Sequence, residues 1–285
     1  NTLDGKTTTA LTLSASTIKG ALTTTATDAV NKALASDGIT GSGSLNVKSS
    51  DSDNTIDEAN TASALTTGVV TATLASSTLT ALAALEDTGN AYTINVSDTG
   101  TVDASALNVL NGKSTGVITV SATKITGALS DIKAIYDANT AGEIAGLGDE
   151  VVSISDTGTV DAATLNGVNS LTTGVITATG VTSVTGTLTE IKAAYASNSA
   201  GTISGLGNES ISIADLGTVV TPSDLADIKA LTSGLVTVSL SGTSARITFP
   251  AGVSSVPCKI PRRLFRSPFT VPIYSSGVTT STLII

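Results

Sequence analysis

Carboxylates are the side chains with chemical capacity that recur along this chain. Asp149-Glu150, Asp156 and Asp161 lie close together, and Glu209 and Asp215 stand at matching places further on. Calcium takes several oxygen ligands from a tight turn, and Gly146-Leu-Gly-Asp-Glu150 would supply two. The Gly-Gly-x-Gly-x-Asp pattern of calcium-binding β-rolls is missing, and Asn208 replaces the aspartate in the next copy. Caps and turns account for the same acids without metal. Calcium is therefore the single cofactor candidate, and no metal ligand is assigned. Asp51-Ser-Asp53-Asn54 lacks the glycine and terminal glutamate of a calcium loop and reads as an ordinary loop.

Three other patterns weaken on inspection. Asp-Thr-Gly opens the aspartic protease signature, where two carboxylates share a proton. Here it recurs at Asp98 and Asp156 and degenerates to Asp215-Leu-Gly217, the behaviour of a repeat landmark. Lys133-x-x-Tyr136 and Lys192-x-x-Tyr195 resemble a reductase base pair in reverse, but read more simply as repeat positions on a helix. Threonine is abundant enough to suggest an ice- or polysaccharide-binding face, yet no long regular Thr-x-Thr rank runs along the strands, and Thr also favours strands generally. With no His there is no imidazole base or Ser-His pair, and one Cys makes neither an internal disulfide nor a thiolate cluster. No catalytic or cofactor-binding residue is predicted, and the chain is expected not to be an enzyme.

Self-similarity is the strongest signal. Asp98-Thr-Gly-Thr-Val-Asp103 returns 58 residues later as Asp156-Thr-Gly-Thr-Val-Asp161, and Asp215-Leu-Gly-Thr-Val219 is a third copy. Gly116-Val-Ile-Thr119, Gly174-Val-Ile-Thr177 and Gly234-Leu-Val-Thr237 keep step, as do Gly146-Leu-Gly-Asp-Glu150 and Gly205-Leu-Gly-Asn-Glu209. The earlier copy is shorter. Gly68 precedes Gly116 by 48 residues, and Leu85-Glu-Asp-Thr-Gly89 runs almost directly into Tyr92 without a Gly-Leu-Gly turn. Ile18-Lys-Gly-Ala-Leu22 is a weaker copy of Ile125-Thr-Gly-Ala-Leu129.

Each module reads as two halves of about 29 residues, each with one strand and one short helix. Val151–Ser155 and Ser210–Ala214 alternate apolar and polar, and Val117–Val120 and Val175–Thr179 are rich in β-branched residues. Leu129, Ile132, Ile135 and Tyr136 share one helical face, with Ser130 expected as N-cap and Asn139 or Gly142 as the stop. Thr221-Pro-Ser-Asp224 opens another helix with Leu225, Ile228 and Leu231 inward, and Asp103 and Asp161 are the matching caps. Gly116, Gly174 and Gly234 are read as C′ glycines or turns. Strand, helix, strand at a fixed period predicts an α/β repeat solenoid with a parallel sheet. The alternative is an all-β parallel helix whose helices are mere corners.

The modules fall near 1–50, 51–97, 98–155, 156–214 and 215–244, so residues 1–244 form the predicted solenoid. Composition changes after Ser244. Residues 245–285 hold all four Arg, all three Phe, Cys258 and five of six Pro, with no Asp or Glu. This basic, Pro-rich tail is read as a cap or as sequence foreign to the repeat. The whole chain carries a net charge of −9, with pI about 4.4 and mean hydropathy +0.33. Only 2 % of residues are aromatic. An acidic, aromatic-poor chain is a poor nucleic-acid partner. No apolar run reaches the roughly 18–20 residues of a membrane span, and no signal peptide is visible. The chain does not begin with Met, as expected of a fragment or processed chain.

Thr-Gly-Val-Ile-Thr, Thr-Gly-Thr-Leu-Thr-Glu-Ile-Lys-Ala-Ala-Tyr and Ile-Ser-Gly-Leu-Gly-Asn-Glu-Ser-Ile-Ser-Ile-Ala-Asp resemble repeats of very large secreted or cell-surface proteins of marine picocyanobacteria. The resemblance covers roughly residues 15–243 and implies an exported bacterial multi-repeat protein with adhesive, motility or envelope roles. It carries over no functional residue. The expected function is a structural or interaction segment of such a protein, located outside the cell. Expected partners are neighbouring repeats, other copies of the chain, the cell envelope or polysaccharide. A calcium-stabilised adhesin-type repeat and an ice- or polysaccharide-binding solenoid are the alternatives.

Overall fold

The computed structural model describes residues 42–214 and 220–240 without a break. It also describes short pieces at 11–12, 16–23, 33–34, 39–40, 246–248, 270–272 and 281–284. Strands and helices alternate and the sheets within the repeats are parallel, an α/β fold. Two compact units divide the chain, residues 1–126 with 134–148 and residues 127–133 with 149–285, and the division runs through helix Leu129–Ala141.

In the first unit, six strands lie in the order Ile144–Ala145, Ile118–Thr119, Ala91–Asn95, Val70–Thr73, Asn46–Ser49, Thr17–Gly20. Their inward residues stack in register, Val47 on Val70 and Ile94 on Ile118 on Ile144, and all five are buried. Ile18 pairs with Val47, and Leu22 behind it is fully buried, as the weak copy of the landmark requires. Thr101–Asp103 pairs with Lys124–Gly127, which sets Val102 against Ile125.

The second unit shows how the repeat is built. Val152, Ile176 and Ile203 stack in one parallel sheet. Val160, Val184, Ile211 and Val236 stack in another. The chain thus returns to the same sheet every 24 to 27 residues, and each circuit carries two short strands and one helix. This corrects the reading of one strand per half. The landmark Val184-Thr-Gly is itself a strand, Ser183–Gly186, in the second sheet. Two circuits fall short of a module, and the last eight residues carry the chain from Ile203 to Ile211, out of the first sheet and into the second. Gly205 and Gly207, both with positive φ, make that step, a conformation in which a Cβ would be strained.

The corners are real helices, which excludes the all-β alternative. Short ones span Ala104–Asn111 and Ala162–Asn169, and long ones Leu129–Ala141 and Leu188–Ala200. Leu129, Ile132, Ile135 and Tyr136 are all buried, as their spacing predicts, and Leu225 and Ile228 likewise. Each such Leu or Ile contributes roughly 1.5–3 kcal/mol by leaving water. Asp103, Asp161 and Thr221 cap their helices as expected. Ser130 does not cap, because it lies one residue inside Leu129–Ala141. In the shorter early module the second helix shrinks to Leu79–Leu82.

Most of the tail lies outside the described residues, including Cys258, Arg262, Arg263, Arg266, Phe249, Phe265 and Phe269. Its last strand, Ser281–Ile284, pairs antiparallel with Val236–Leu240, and Arg246–Thr248 pairs with Thr270–Pro272.

Candidate functional site

The recurring polar chemistry serves the backbone of the preceding circuit. Thr66, Ser114, Thr172 and Thr232 each stand two residues before a glycine. Each hydroxyl donates to a carbonyl one circuit away: Leu45 at 2.6 Å, Tyr92 at 2.9 Å, Glu150 at 3.0 Å and Glu209 at 2.6 Å. Each accepts from its own glycine, Gly68, Gly116, Gly174 or Gly234, at 2.9–3.0 Å. An added Cβ on any of these glycines would overlap that same carbonyl. They are close-approach glycines where circuits stack, three to five residues past the helix ends, and not C′ caps. The sequence signal was the four-fold Ser/Thr-x-Gly, of which the reading above used only the glycine.

Glu150 and Glu209, candidates for calcium, are each only 1 % exposed. Glu209 Oε2 accepts from the Tyr195 hydroxyl at 2.9 Å and from the Gly207 N–H at 2.7 Å. Burial pushes the Tyr195 hydroxyl up in pKa, and the Glu209 carboxylate pushes it further. Asn198 holds the same turn, donating to the Leu206 carbonyl at 3.3 Å and accepting from its N–H at 3.2 Å; Asn139 clamps Leu147 in the same way. The early module has no such turn, and the buried polar side chain two residues before the stacking carbonyl of Tyr92 is Asn90. Its Oδ1 accepts from Val70 N–H and its Nδ2 donates to Ser63 Oγ, both at 2.8 Å. Tyr92 beside it is pushed up to about 12 by burial, with the Asp87 charge adding and a Ser63 bond opposing.

Four other acids are bonded to backbone N–H groups. Asp103 accepts from Ala106 N–H at 2.9 Å and Asp161 from Thr164 N–H at 3.0 Å. Asp98 and Asp156 accept from Leu79 and Leu129 N–H, at 2.6 and 2.7 Å. Asp215 lies outside the described residues. In the loop Asp51-Ser-Asp53-Asn54, Asn54 is the organiser, bonded to Ser49, to the Asp51 carbonyl and to the Thr73 carbonyl. Asp149 is exposed, and among the described residues no three acids or cysteines converge. Lys192 and Tyr195 diverge. The lysine reaches Asp224 at 2.9 Å and Asp227 at 3.3 Å, while the tyrosine turns inward to Glu209. The Thr221 hydroxyl and Lys192 together lower the Asp224 pKa to about 2. On the outer sheet faces, hydroxyl ranks are short and mixed, Ser153–Thr177–Ser204 and Thr185–Ser212–Thr237.

No protein-family model, no curated protein and no solved structure matches the chain.

Proposed function

We propose that this chain is a non-catalytic structural and interaction segment of a large extracellular or cell-surface protein, in which successive circuits stack as a solenoid. One observation carries this reading. The recurring hydroxyls of Thr66, Ser114, Thr172 and Thr232 are bonded to the neighbouring circuit's backbone. A repeat that places its buried polar groups there is built to stack. The extracellular placement rests on the resemblance of the repeats alone. Among the described residues no helix is long and apolar enough to cross a membrane.

Small-angle scattering on chains with residues 156–214 duplicated once and twice tests the stacking. Two added circuits at the ~4.8 Å strand spacing should lengthen the particle by about 10 Å per module at constant cross-section. Growth in all dimensions would sink the solenoid.

A further inference from the structure

We propose that the aspartate of Asp-Thr-Gly is a one-way lock, by which a module holds the start of the second helix of the module before it in sequence. The proposal does not depend on the extracellular reading. Helix Leu188–Ala200 begins with its own cap, Thr187, closed into a capping box with Glu190. Helix Leu129–Ala141 has Ala128 in the matching place, and alanine offers no side-chain oxygen. Its first N–H, on Leu129, instead donates to Asp156 Oδ2 at 2.7 Å, across 27 residues. A carboxylate there also faces the positive end of the helix. Asp98 does the same for Leu79 at 2.6 Å, but Thr78 already caps that helix through Ala81 N–H. The lock is thus redundant at Asp98 and indispensable at Asp156.

Amide hydrogen exchange on the full chain tests this. Asp156→Ala should speed exchange at Leu129–Ile132 roughly tenfold, and Asp98→Ala at Leu79–Leu82 only about threefold. Ala128→Thr added to Asp156→Ala should return most of the protection, because the helix regains a local cap. Asp156→Asn keeps an acceptor oxygen and should stay within about threefold of the parent, which covers the case that the alanine variant does not fold. Unchanged exchange at Leu129–Ile132 in Asp156→Ala would overturn the lock. So would equal acceleration across the whole chain, or no recovery with Ala128→Thr.

Discussion

Asn90 and Glu209 are the buried polar side chains beside the stacking contact in two different circuits, and they serve it with different chemistry. Both are buried and both directly precede a strand, but Glu209 supplies the stacking carbonyl itself, whereas that carbonyl belongs to Tyr92, two residues after Asn90. Asn90 is neutral, and both ends of its amide are bonded, to Val70 and Ser63. Glu209 has two donors on one oxygen, Tyr195 and Gly207, and its Oε1 has no partner among the described residues. The difference follows chain length. The early module lacks the Gly-Leu-Gly turn, so it has no turn N–H to hold and no long helix from which a tyrosine can reach inward. The stacking hydroxyl and glycine are the invariant of the repeat, and the group beside them follows whatever loop is present.

The largest effect should fall on the invariant. Gly68→Ala and Gly234→Ala should each cost about 3–5 kcal/mol in urea unfolding, because the new methyl meets a backbone carbonyl that cannot rotate away. Gly158→Ala, with open space around it, should shift stability by less than about 1 kcal/mol. A mild Gly234→Ala beside a severe Gly68→Ala would break the claim that both circuits stack alike. Next come the variable groups. Tyr195→Phe removes a donor from a buried carboxylate and should cost about 1.5–3 kcal/mol. Tyr92→Phe, whose hydroxyl has only neutral partners, the Ala59 carbonyl at 3.5 Å and Ser63, should cost less, about 0.5–1.5 kcal/mol. Equal losses would erase the distinction.

Alkaline titration sharpens the same contrast. Both tyrosines are raised in the fold, so their stabilising share is complete below the unfolded value of about 10. It declines as pH climbs from there toward the folded values, which for Tyr92 is about 12. The decline should flatten in either Phe variant, and more in Tyr195→Phe. The smallest effect belongs to the surface. Asp224 is lowered to about 2, so its share is present above about 4 and lost as pH falls from there toward 2. Asp224→Asn should lose that acid limb together with the same share at neutral pH, a loss below about 1 kcal/mol because half-exposed pairs contribute little.

Local features were legible in the sequence. The apolar spacing of Leu129, Ile132, Ile135 and Tyr136, and the caps at Asp103, Asp161 and Thr221, depend on residues a few positions apart. What escaped depends on residues a circuit apart. Asp156 caps Leu129 across 27 residues, while the adjacent Ser130 looked like the cap. Gly174 is glycine because of the Glu150 carbonyl, not because of the helix before it. The two-strand circuit was hidden because Lys124–Gly127 and Ser183–Gly186 run almost straight into their helices.

The eight-residue step from Ile203 to Ile211 has one more effect. Stacked parallel strands of near-identical sequence are also the growth unit of amyloid, where each chain templates the next. In the second unit, one sheet ends on the two-residue strand Ile203–Ser204, and the chain then continues in the other sheet. A rung that short offers an incoming strand almost no ladder. By changing sheets once per module, a long array of such modules would interrupt its own template and would gain length without becoming a seed for fibres.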